Sequence, residues 1–81
     1  MEDSTIHQHI EELVAEEHRL LELAEEESGL SKDQHVRLAA VRIELDRYWD
    51  LLRQRRARRE AGLDPDEAQL RSADTVERYE Q

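Results

Sequence analysis

Two apolar stripes at helical spacing run along this chain, separated by a short polar turn. At 100° per residue, Ile6, Ile10, Leu13, Val14, Leu20, Leu21 and Ala24 fall on one arc of a first helix, predicted over about 5–28. Leu38, Val41, Leu45, Trp49 and Leu52, with Tyr48 on the shoulder, line a second helix, predicted over 32–61. Between them, Gly29 is suited to the left-handed residue that closes a helix, with Leu30 as the apolar residue after it. Ser31-Lys32-Asp33-Gln34 then reads as a capping box, in which Ser31 and Gln34 satisfy each other's backbone N–H groups. The first helix is expected to be capped within Asp3–Thr5. Gly62 ends the second. Asp64-Pro65-Asp66-Glu67 opens a short third helix with Asp64 as cap and Pro65 in the first turn. The remaining tail is polar, with Val76 and Tyr79 as its anchors. A hairpin over 1–62 and a short helix with tail over 63–81 is the expected organisation.

So short a turn forces antiparallel pairing, and facing residues should have numbers totalling about 58–59. Leu20 then meets Leu38, Leu13 meets Leu45, Ile10 meets Trp49 and Ile6 meets Leu52. Glu17 lies inside the first apolar arc with Arg42 opposite, so the two are expected to form a partly desolvated, register-setting pair. Arg56 is expected to face Asp3.

Charge sharpens this pattern. Residues 1–30 carry ten acids and one base, and residues 31–59 carry nine bases and four acids. The two helices therefore match in sign as well as in apolar pattern. With 81 residues, 37% hydrophobic and 41% charged, the chain is near the size where a lone core barely suffices. A hairpin also leaves half of each stripe uncovered. Val14, Leu21, Leu23, Ile43, Tyr48 and Trp49 supply apolar surface beyond what one hairpin buries, so self-association is expected. The fold class is thus all-α, an antiparallel two-helix hairpin with a short C-terminal helix and tail, expected to pair into a four-helix bundle.

Candidate chemistry is sparse. Cysteine is absent, which removes disulfides, thiolate metal sites and Cys nucleophiles together. There is no Gly-rich phosphate loop and no nucleophile elbow. The paired carboxylates lack the water-excluding cleft that acid–base catalysis needs, so an enzyme is not expected. His7 with Glu11 and His18 with Glu22 sit four apart, yet no histidine follows an acid by three as di-iron bundles require. His7, His9, His18 and His35 read as solvated helix-edge residues, and neither metal nor other cofactor is expected.

The Arg burst of Arg53, Arg55, Arg56, Arg58 and Arg59 is the one segment resembling a ligand site. Guanidinium forks suit phosphate or an acidic protein partner. These five instead point around the whole helix, offset its dipole and lie within reach of Glu2-Asp3 and Asp64–Glu67. Internal pairing is the favoured reading, and a net charge of −9 disfavours general nucleic-acid binding. The N-terminus has no secretory h-region and no apolar run approaches a membrane span, so a cytoplasmic protein is expected.

Leu13–Glu17 followed by His18-Arg19-Leu20, Glu44-Leu45-Asp46, Trp49–Ala57, Gly62, Asp64–Ala68, Val76-Glu77 and Tyr79 together resemble a family of short actinobacterial proteins, the domain of unknown function 2630. The resemblance implies a bacterial cytoplasmic protein complete at this length, and it brings no activity, substrate or catalytic residue. The functional expectation is a small non-enzymatic helical adaptor that self-associates, a dimer being favoured. The alternatives are an RNA- or ribosome-associated factor using the Arg burst and, less favoured, a metal-binding helical protein.

Overall fold

The computed structural model describes residues 1–79, with side chains described through Val76, so the side chain of the expected anchor Tyr79 lies outside the described residues. Helix α1 spans Asp3–Ala24 and α2 spans Lys32–Glu60. A 3-10 turn covers Pro65–Glu67, and α3 runs Ala73–Tyr79. The described residues contain no strand.

Helix ends follow local chemistry. Ser31 caps α2 through the full capping box: Gln34 N–H donates to Ser31 Oγ at 3.2 Å and Ser31 N–H to Gln34 Oε1 at 2.8 Å. At the other end, Gly62 (φ 74°) sits in a Schellman motif, with Leu63 N–H reaching Arg58 O at 2.8 Å and Gly62 N–H reaching Arg59 O at 3.1 Å. Helix α1 stops at Ala24, four residues before the expected Ser28. Glu25, Glu26 and Glu27 would place three negative charges at the negative end of the helix dipole, and the chain instead tightens into i to i−3 hydrogen bonds. Gly29 (φ 64°) closes that turn, not the helix itself. The expected cap within Asp3–Thr5 is also corrected. Glu2 precedes the helix without a side-chain capping bond, because the Asp3 carboxylate is engaged by arginines of α2.

The core consists of Ile6, Ile10 and Leu20 from α1 with Val41, Leu45 and Leu51 from α2. Leu13, Val14, Leu38, Tyr48 and Leu52 pack against it half-buried, as do Leu30 from the turn and Ala68 and Leu70 from the C-terminal segment. Trp49 does not take its expected place against Ile10. It is 44% exposed, whereas Leu51 is 3% exposed. The reason is that α2 packs on two sides, against α1 and against the C-terminal segment. Residues 49 and 51 lie about 200° apart on the helix, and the segment buries the Leu51 shoulder.

The three strips lie side by side. The molecule measures 52 × 25 × 15 Å, a slab one helix layer thick. Its radius of gyration, 15.1 Å, exceeds the roughly 12 Å of a compact domain of this length.

The arginine clamp and the Trp49 groove

Arg55 is the most deeply buried of the five clustered arginines, at 5% exposure. Its Nε donates to Asp3 Oδ1 at 2.5 Å, and its Nη1 donates to Pro65 O and Asp66 Oδ1, each at 3.0 Å. Arg59, one turn on, donates from Nη2 to Asp3 Oδ2 at 2.7 Å. Arg58 donates to Asp64 O at 2.6 Å and Glu67 Oε2 at 2.7 Å. The end of α2 thus ties down the first turn of α1 on one side and the Pro65 turn on the other. The Arg55 hydrogen bond, then that from Arg59, holds the Asp3 carboxyl below its ordinary value of 3.8. Asp3 in turn raises Arg55 further.

A second clamp fixes the C-terminal segment farther back on α2. Asp50, 5% exposed, accepts from Gln54 Nε2 at 2.9 Å and pairs with Arg71 at 3.2 Å. Gln54 also donates to Gln69 O, and Arg47 to Arg71 O. Sequence reasoning missed this cluster, because Asp50 lies off the apolar stripe and nothing local marks it as buried.

Between the helices, Arg42 Nε donates to Glu17 Oε2 at 3.1 Å. The residue numbers of this pair and of Asp3–Arg55 total 59 and 58. Glu17 is partly covered while Arg42 is largely exposed. A second cross-pair was not foreseen: Arg37 engages Glu16 through both Nε and Nη2, which holds the Glu16 carboxyl below its ordinary 4.5. Arg56 does not face Asp3 as an ion partner. Arg55 and Arg59 share one side of the helix and fill that role, leaving Arg56 about 100° round. Among the described residues Arg56 makes no ion pair.

Arg53, Arg56 and Arg59 instead line an open groove of about 300 Å³ with Asp3, His7, Leu52 and the exposed ring of Trp49. The other candidate interface residues divide. Val14 and Tyr48 pack half-buried against the core, Tyr48 stacking on His9 with ring centroids 5.0 Å apart; Leu23 is half-buried, and Leu21 and Ile43 are exposed. Val14, Leu21 and the Trp49 groove lie on one face of the slab, while Tyr48 belongs to the opposite face. Among the described residues, no three His, Asp or Glu side chains converge to hold a metal, and no helix is long and apolar enough to cross a membrane.

The family model described as protein of unknown function (DUF2630) matches residues 2–81. The chain belongs to the DUF2630 family. Uncharacterized proteins of Mycobacterium tuberculosis and Mycobacterium bovis are each 49% identical to it over 78 residues, which cover 95% of this chain and 88% of the relative. No solved structure matches the chain. DUF2630 membership brings no catalytic assignment, so the functional reading of this member rests on its surfaces.

Proposed function

We propose that this DUF2630 protein is a non-enzymatic helical interaction module of the bacterial cytoplasm that works as a self-associated dimer. The observation that carries this reading is the 15 Å thickness of the slab. Stable domains bury apolar surface between at least two layers, and here a single layer leaves Trp49 and Leu21 open, with Val14 only half covered. The accessible surface is 5909 Å², against about 5,100 Å² for a monomeric protein of this mass. The 52 × 25 Å face is large enough for the roughly 800 Å² per partner of a stable interface.

The Arg burst offers less support for nucleic-acid binding, because Arg55, Arg58 and Arg59 are spent on partners within the chain. Trp49 is the only tryptophan and therefore reports on the open face by its emission. The emission should shift to the blue as concentration rises through the dissociation constant. An emission spectrum independent of concentration, at the position of a solvent-exposed indole, would contradict self-association through this face.

A further inference from the structure

We infer that the face bearing Trp49 takes a second copy of this chain in one orientation, with both hairpin turns at the same end and each acidic α1 lying across the basic half of the other copy's α2. This rests on the self-association proposed above and adds its geometry and its contacts.

Two rotations stack the slab on itself through one face. A two-fold axis across the helices lays α1 on α1 and α2 on α2. A two-fold axis along the helices, over the α1–α2 seam where the groove lies, lays α1 on α2 in antiparallel fashion, as within each hairpin. Charge separates the two. Residues 1–30 carry ten acids and one base, and the excess of bases in residues 31–59 lies in the five arginines of 53–59, so the first rotation sets acid against acid where α1 meets α1 and leaves the Arg-rich end of α2 without an acidic helix opposite. Such juxtaposition is a strong determinant of which alignment forms.

The groove gives the second arrangement a specific contact. In a protein of net charge −9, it concentrates Arg53, Arg56 and Arg59 around an exposed indole, with Asp3 as the single acid on its wall. The hairpin register, carried over to the second copy, brings that copy's Glu11, which shares the groove face of α1 with His7 and Val14, close to Trp49. Glu11 is exposed. Arg56, without an ion partner among the described residues, lies beside the N-terminal half of that acidic helix. Trp49 becomes covered near the middle of a charged surround, the usual setting of an interface anchor.

The absence of cysteine allows a single label site. Ser28 lies in the exposed turn, and a spin label on Ser28→Cys reads the distance between the two turns by pulsed dipolar spectroscopy. Turns at the same end stand one helix layer of about 10 Å apart, which with the label arms stays below about 30 Å. Turns at opposite ends approach the 52 Å length of the molecule. A short distance is expected. A dimer by solution mass with a long distance would overturn the orientation while leaving self-association standing, and a monomer would overturn both.

A charge variant gives the second readout. Arg56→Glu should weaken dimerisation by at least about tenfold, while the far-ultraviolet spectrum of the monomer stays unchanged. An unaltered dissociation constant for Arg56→Glu would remove the groove from the interface.

Discussion

Replacing Arg55 by methionine keeps an apolar stem in the core and removes the clamp between both ends of the chain. The Arg55 side chain is 6% exposed, Asp3 37% and Asp66 67%. A hydrogen bond to a charged group in a buried setting contributes about 1.5–3 kcal/mol. Asp66 returns to water when released, so its share is roughly 0.5 kcal/mol or less. Asp3 keeps Arg59 as a partner, which limits its loss too. The half-buried Pro65 carbonyl loses its donor. Together these place the cost near 2 kcal/mol, and for a domain this small that lowers Tm by roughly 8–16 °C. The assay is thermal unfolding followed by circular dichroism, at the lowest workable protein concentration so that association contributes least. Arg56→Met, at an exposed position, serves as the comparison and should stay within about 0.5 kcal/mol of wild type. In a double-mutant cycle, Asp3→Ala and Arg55→Met should cost less together than the sum of their separate effects. Equal Tm values for Arg55→Met and Arg56→Met would refute the clamp.

Acid sensitivity should follow from the same pairs: Asp3 and Glu16 are held below their ordinary 3.8 and 4.5, so the unfolded chain takes up protons first as pH falls. Their contribution is therefore complete above about pH 5 and is lost as pH drops through the lowered native values. Asp3→Asn should reduce stability at neutral pH and flatten this acid limb in urea titrations, and an unchanged limb would count against the Asp3 pairing. Between the helices, a double-mutant cycle on Glu17→Ala and Arg42→Ala should give a coupling of roughly 0.5 kcal/mol, given the exposure of Arg42; zero coupling would remove its register-setting role. The two-pronged Glu16–Arg37 pair should couple more strongly than Glu17–Arg42, and the reverse order would contradict the geometry.

Much of the hairpin was legible because it is written locally. The capping box at Ser31, the left-handed glycines and the apolar 3-4 spacing each act over one or two turns. The register followed from the turn, which left Glu17 opposite Arg42. What escaped was long-range. Trp49 and Leu51 occupy opposite shoulders of the same stripe, and the docking of residues 63–76 on α2 decides which is buried; no local pattern around position 50 records that. The burial of Arg55 did leave a trace. Val41, Leu45, Tyr48, Leu52, Arg55 and Arg59 are spaced alternately by four and three, so the core seam continues into arginines where Asp3 of α1 comes opposite. Apolar spacing alone ends that seam at Leu52, and only its continuation in charged residues reaches Arg55 and Arg59. The premature stop of α1 was written in Glu25-Glu26-Glu27, whose conflict with the helix dipole outweighs the propensity of Glu for helix.

The central claim is that a one-layer slab completes its core with a second copy, and solution mass by light scattering after size exclusion tests it most directly. Across a concentration series, the wild-type chain should pass from the mass of one chain to that of two, while Trp49→Ala stays at one chain over the same range and remains helical. A wild-type protein that holds the mass of a single folded chain at every concentration would contradict the account.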